Sequence, residues 1–265
     1  MSGSPRVRLG AVAFLNARPL VYGLDRSPRF SLREDVPSAC ARLLHTAEID
    51  LGLIPSIEYL QGADYRVVPD LAIASRGAVA SVALYTTRPM RDVRSIAMDT
   101  SSRTSVALVR VLCERVFRIQ PAISSHAPDL GAMLATADAA LIIGDNALFW
   151  EPAAFGATEK IDLGDAWTNL TGLPFVWAFW AGRPGAIDAE GVGELQAARD
   201  AGVTRSESLA AAYFRDRPEQ QAIGARYLRD NIKYHLGADE RAGLEQFYRY
   251  AAEAGIAPRG EFRTF

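Results

Sequence analysis

Residues 98–105 read MDTSSRTS and gather five hydroxyls and one arginine between two apolar runs, 93–98 and 106–116. A strand leading into this segment and a helix leading out of it make an anion site. Serine and threonine hydroxyls donate hydrogen bonds, and a helix's first turn adds free backbone N–H groups and a positive dipole end. Ser101, Thr104 and Ser105 are the candidate donors, and a carboxylate is the ligand they suit. The same residues also make an ordinary serine-rich helix cap, so this segment alone does not decide. Arg103 reaches either a ligand or water.

Five further segments carry polar chemistry just after apolar runs. FLNARP holds Asn16, whose amide is both donor and acceptor and so orients a hydroxyl or an ether oxygen; it also suits a helix cap. LIPSIEYL holds Ser56 and then Glu58, which is either a general base or a first-turn acid that complements a helix dipole. SRGAVASV holds Arg76 and Ser81. GDNA holds Gly144, Asp145 and Asn146, all common turn residues. TNLTG holds Asn169 and Thr171. The aromatic string Phe175, Trp177, Phe179 and Trp180 reads as core or hinge packing.

The elements that position these residues follow from periodicity. Apolar runs at 7–13, 30–34, 49–53, 67–73 and 78–85 predict strands. Helical spacing follows Pro19 and covers 38–47, with Ser38 as a cap. A second alternating block has strands at 95–98, 122–124 and 139–143 and helices at 105–117 and 128–136. Such alternation marks α/β sheets. The apolar run 173–181 returns the chain to the first half, and helices at 206–214, 218–234 and 239–254 close it. The expected architecture is two α/β lobes around a ligand cleft, with C-terminal helices on the first lobe. Lobe 1 is 1–87 plus 179–265, and lobe 2 is 88–178. A ligand in such a fold sits in the cleft, against the carboxyl ends of the strands.

Composition excludes several classes. The chain has 265 residues, with Lys+Arg at 29 and Asp+Glu at 31, so the basic excess of a nucleic-acid binder is missing. No run approaches the ~20 apolar residues of a membrane span. The apolar run 9–15 is too short for a secretory signal, which leaves a soluble cytoplasmic protein, monomer or homodimer. Cys40 and Cys113 sit at apolar helical positions and read as buried free thiols. His45, His126 and His235 are scattered and there is no CxxC, so no metal is expected. There is no G-x-S-x-G elbow, P-loop or G-x-G-x-x-G, so serine hydrolysis and nucleotide cofactors are unsupported, and no cofactor is expected.

Taken together, GAVAFLNARPLVYGL, DLGLIPSIEYL, SRGAVASVALYTTRP, IAMDTSSRTSVALVRVL and TGLPFVWAFWAG resemble the menaquinone-biosynthesis family of the futalosine pathway. Within it they most resemble the branch that dehydrates chorismate. The resemblance runs in colinear order over residues 7–181, with a weaker helical match beyond. FLN stands where many relatives carry a tyrosine, and MDTSS where LDSSS is common. The resemblance implies a type II periplasmic-binding-protein fold used in the cytoplasm as an enzyme. It implies a lyase that removes water from chorismate to give 3-[(1-carboxyvinyl)oxy]benzoate. Asn16 then orients the leaving hydroxyl or a carboxylate, and Ser56, Arg76, Ser81, Ser101, Thr104 and Ser105 hold the substrate. Gly144, Asp145 and Thr171 join them as strand-end candidates. No side-chain base stands out, which points to the substrate's own enolpyruvyl carboxylate as proton acceptor. The sister enzyme that forms 1,4-dihydroxy-6-naphthoate is expected to carry a histidine near Gly144-Asp145, where this chain has none. A transporter's solute-binding protein is the other alternative.

Overall fold

The computed structural model describes residues 6–62 and 64–265. In chain order the strands are β1 (Val7–Val12), β2 (Phe30–Asp35), β3 (Leu51–Pro55), β4 (Arg66–Val67), β5 (Ile73–Ser75), β6 (Val82–Thr86), β7 (Ser95–Asp99), β8 (Ala122–His126), β9 (Ala139–Ile143), β10 (Glu159–Asp162) and β11 (Phe175–Gly182). They form two sheets. The first runs β2-β1-β3-β11-β4, with β5 also paired to β11. The second runs β10-β6-β9-β7-β8. In the first, β1 is parallel to β2 and β3, whereas β11 is antiparallel to β3, β4 and β5. In the second, β7 is parallel to β8 and β9, and β6 is antiparallel to β9 and β10.

Strands covered on both faces are uninterrupted apolar runs. β3 and β9 are buried at every residue, and so is β11, the strand that brings the chain back into the first sheet. Its pairing moves the expected boundaries. Val82–Thr86 belongs to the second sheet and all of Phe175–Gly182 to the first. The crossings therefore fall just before 82 and just before 175, not at 87 and 178. A contiguous apolar run does not reveal which sheet it joins, because that depends on its pairing partner.

The helices are α1 (Pro37–His45), α2 (Arg103–Leu112), α3 (Leu130–Leu134), α4 (Asp145–Phe149), α5 (Leu163–Thr171), α6 (Ala189–Val203), α7 (Ser206–Tyr213), α8 (Pro218–Arg226) and α9 (Ala238–Glu253). The helix expected after Pro19 is a 3-10 segment, Leu15–Val21, with that proline inside it. The single strand expected over 67–73 is two short ones, because Pro69 lacks a donor and Asp70 turns the chain at φ 59°. Strand β10 and helices α5 and α6 were not apparent from periodicity; β10 reads EKID and carries a single apolar residue.

The C-terminal helices pack on the first sheet's side. Helices α6 and α7 cover Leu15–Val21, and α9 lies on β11. Gly202 of α6 lies so close to Pro19 that a Cβ would stand 2.3 Å from the Pro19 carbonyl oxygen. The helix and the turn carrying Asn16 therefore meet backbone to backbone.

Candidate active site

Between the sheets, where β1, β3 and β9 end, lies a narrow cavity of ≈ 50 Å³. Phe14, Val79, Ile143 and Trp177 form much of its apolar wall. Its polar side chains are Asn16, Ser81, Ser102 and Ser105. Among the described residues no carboxylate, imidazole, thiol, phenol or amine lines it.

Ser102 and Ser105 come from the first turn of α2. Ser102 is its N-cap and accepts from the Ser105 backbone nitrogen at 3.4 Å. The Ser105 hydroxyl donates to Ser102 Oγ at 3.0 Å. With both of these bonds received, the Ser102 hydroxyl proton is available to a ligand. Residues three apart share one face of a helix, which is why these two meet at the cavity.

Ser81 and Asn16 approach from the other sides. The Tyr227 hydroxyl donates to Ser81 Oγ at 2.7 Å, so the Ser81 proton remains free to donate. The Asn16 side chain also reaches the Tyr227 hydroxyl, and burial keeps that phenol protonated by raising it well above its ordinary value. Asn16 Oδ1 is buried and has no partner. A buried carbonyl oxygen without a donor carries a desolvation cost of about 1–3 kcal/mol, which a ligand hydroxyl in the cavity offsets.

Ser81 is held by a strained crossover. Ala80 has φ 63°, a left-handed conformation uncommon outside glycine. Its backbone nitrogen and that of Val79 both donate to the Asp162 carboxylate, at 2.6 and 3.0 Å. Asp162 is also the N-cap of α5. Burial raises its pKa, partly offset by these N–H donors. Opposite, Gly144 stands at φ 72° and ψ −154°, a region open to glycine alone. A Cβ there would meet the Phe14 ring at 3.0 Å.

The expected site residues therefore separate. Asn16, Ser81, Ser105 and Gly144 line the cavity. Ser56 and Thr104 do not: both are 0 % exposed and use their hydroxyls inside the protein. Ser56 donates to the Val176 carbonyl at 2.7 Å, and Thr104 accepts from the Ile57 backbone nitrogen at 3.1 Å. Ser101 donates to Asp99 at 2.6 Å. Arg76 is on the surface, paired with Asp239 at 2.5 Å. Thr171 is in the last turn of α5, where its hydroxyl donates to the Trp167 carbonyl. TNLTG is thus helical, not a strand end.

Asp145 is adjacent to the cavity but points away. Its carboxylate accepts from the Leu15 backbone nitrogen at 3.4 Å and from the Tyr213 hydroxyl. Burial raises its pKa above the ordinary carboxylate value, and the Tyr213 and Leu15 hydrogen bonds partly oppose that rise. Arg103 points to protein: its Nη1 lies 3.0 Å from both Glu58 carboxylate oxygens. Ser102, Phe14 and Trp177 were missed. The signal for Ser102 was the i, i+3 spacing to Ser105. Trp177 gave no such signal: it shares its parity with the core-facing Phe175 and Phe179, and a register shift between Val176 and Ala178 turns it to the cavity.

Three comparisons bear on this arrangement. The fold is similar to that of protein AF1704 from Archaeoglobus fulgidus (TM-score 0.77, 17% identity, covering 95% of this chain and 98% of that one). It is also similar to the alkanesulfonate-binding protein SsuA from Xanthomonas axonopodis pv. citri bound to MOPS (TM-score 0.69, 17% identity, 97% and 96%). Two α/β lobes around a cleft, with the C-terminal helices on the first, make this a periplasmic-binding-protein-like fold. Residues 7–253 match the family model described as menaquinone biosynthesis. The chain is 32% identical over 259 residues to the chorismate dehydratase of Thermus thermophilus, covering 90% of this chain and 93% of that protein. The chain belongs to the menaquinone-biosynthesis family.

Proposed function

We propose that the chain is a cytoplasmic lyase of menaquinone biosynthesis that dehydrates chorismate to 3-[(1-carboxyvinyl)oxy]benzoate. The observation that carries this reading is the cavity's chemistry in a chain so similar to a chorismate dehydratase: neutral hydroxyl donors, one free amide acceptor and no ionisable side chain. Chorismate has two carboxylates, an ether and a ring hydroxyl. The N-terminus of α2 suits one carboxylate without a cation, with the free Ser102 hydroxyl as donor and Ser105 bonded to Ser102 beside it. Asn16 Oδ1 accepts from the ring hydroxyl, and Ser81 donates to an oxygen on the opposite side.

The reaction breaks the C–H bond at the ether-bearing carbon and the adjacent C–O bond. The C–H electron pair becomes a ring double bond, the hydroxide departs, and it leaves as water once protonated. Aromatisation supplies the driving force, so orientation and proton handling are the main demands on the protein. With no basic side chain on the cavity wall, the enolpyruvyl carboxylate takes the proton and the protein holds the geometry. The cavity of ≈ 50 Å³ is well below the roughly 300–1,000 Å³ of small-molecule sites, so the lobes part to admit substrate.

The test is incubation of the full chain with chorismate, with product identified by chromatography and mass. Formation of 3-[(1-carboxyvinyl)oxy]benzoate is expected, and its absence at high enzyme concentration overturns the reading. A chorismate analogue with the enolpyruvyl carboxylate replaced by a carboxamide is expected to bind without turning over; normal turnover of it would exclude substrate assistance.

A further inference from the structure

On the far side of the α2 N-terminus from the cleft, a second cavity of ≈ 640 Å³ opens between the lobes. His45, Glu58, Tyr65 and Arg183 come from the first lobe, and Arg103 and Arg110 come from α2. The 2 % exposed Glu58 is neutralised within the protein. Arg103 Nη1 lies 3.0 Å from both its oxygens, and His45 Nε2 lies 2.9 Å from one. The other ring nitrogen of His45 lies 2.9 Å from the Tyr65 hydroxyl, and the two rings stack.

Glu58 therefore offsets Arg103 and leaves two other guanidinium groups at the cavity. Arg183 donates to the His45 carbonyl at 3.1 Å and lies against the Tyr65 ring. Among the described residues neither Arg183 nor Arg110 has an ion pair. Ile57, Val106, Ala107 and Ile256 form the apolar wall between them. The volume is that of a small-molecule site, roughly 300–1,000 Å³. Two cations flanking one apolar wall of an otherwise polar cavity suit an organic anion with a flat apolar body.

We propose that this lateral cavity binds a small aryl carboxylate as an effector, separately from the substrate cleft, and that its occupancy favours the closed lobes. Arg183 belongs to the first lobe and Arg110 to the second. An anion that touches both gains more from the closed arrangement than from the open one, and the difference in affinity sets the population shift. The cleft holds anions through hydroxyls and a helix end; the lateral cavity holds them through guanidinium groups. Variants therefore separate the two sites.

The test is calorimetric titration of the full chain with 2-naphthoate, alongside inorganic phosphate and 2-naphthalenemethanol. Saturable 2-naphthoate binding at one site is expected, tighter than either phosphate or the alcohol. It weakens about tenfold or more in Arg110→Ala/Arg183→Ala and is unchanged in the cleft variant Ser102→Ala. Arg110→Ala alone, on an exposed helix face, gives a smaller weakening and serves if the double variant does not fold. An unchanged dissociation constant in the arginine variants, loss of binding in Ser102→Ala, equal binding of phosphate, or no saturation up to about 10 mM overturns the proposal. In wild type, 2-naphthoate lowers KM for chorismate, and a competitive rise in KM also overturns it. If chorismate is not turned over at all, the calorimetric comparison still decides, so the two readings fail separately.

Discussion

Thr104 Oγ1 accepts from the Ile57 backbone nitrogen at 3.1 Å and lies 3.4 Å from Ser56 Oγ, joining the first turn of α2 to the end of β3 across the two lobes. Ser56 already gives its proton to the Val176 carbonyl. The Thr104 proton is therefore the one available to this pair, and neither hydroxyl is left for a ligand. Two side chains of the kind that hold carboxylates instead fasten the lobes.

Thr104→Val keeps the shape and removes the acceptor. It leaves a buried N–H unpaired at Ile57 and is expected to cost about 1–3 kcal/mol. Urea unfolding measures this loss. The same variant is expected to raise KM for chorismate more than it lowers kcat, because it weakens closure and leaves the cavity wall intact. An unchanged unfolding midpoint would remove the fastening role.

Asn16→Ala is expected to behave in the opposite way. The side-chain oxygen has no partner in the protein, and loss of its desolvation cost offsets loss of the amide's contact with the Tyr227 hydroxyl, so the melting temperature changes little. Turnover falls by about 10²-fold or more if Oδ1 orients the reacting hydroxyl, a loss typical of one positioned group. Steady-state kinetics beside a thermal melt separates the two effects. Normal turnover in this variant would remove Asn16 from the mechanism.

Gly144→Ala meets two obstacles. The backbone conformation excludes a side chain, and the added methyl meets Phe14 at 3.0 Å. A destabilisation of about 1–3 kcal/mol is expected from the backbone alone. Substrate affinity falls as well, since Phe14 is part of the cavity wall. Denaturation and KM report the two losses.

Asp145 gives a pH dependence with a definite sign. Burial raises its pKa in the folded protein. A carboxyl with a raised folded pKa binds its proton more tightly in the native state, so its stabilising contribution is full below the ordinary carboxylate value of about 3.9 and declines as pH rises through the raised value. Asp145→Asn removes this titration. Melting temperatures from about pH 4 to 7 are expected to show a flatter limb in the variant than in wild type. Parallel curves would contradict the assignment.

Cys40 and Cys113 are both free and buried, and burial pushes each thiol up to about 12. The thiolate is the reactive form, so iodoacetamide at neutral pH is expected to leave both unmodified in the folded protein and to modify both in denaturant. Mass spectrometry reads the outcome, and rapid native labelling of either would place it outside the core.

The strands and most helices were legible because buried strands and amphipathic helices write their periods into the sequence. The run of residues 173–181 already read as a return to the first half, and three of its aromatics, Phe175, Phe179 and Trp180, are fully buried. Asn16, Ser81 and Ser105 were legible as polar residues between apolar elements. What the hydroxyls of residues 98–105 do was not. Five of them follow one another along the chain, yet one side chain caps β7's terminal carboxylate, two face the cavity and one fastens the lobes. A helical turn distributes neighbours over different faces, and only the elements packed against each face decide whether a hydroxyl meets a ligand, a carboxylate or a backbone nitrogen. The same holds for Arg76, Arg103, Asp145 and Thr171. Composition and order determined that this chain builds two α/β lobes with polar strand ends; which polar groups remain free between them was decided by partners far away in the chain, such as Tyr227 for Ser81, 146 residues on, and Asp239 for Arg76, 163 residues on.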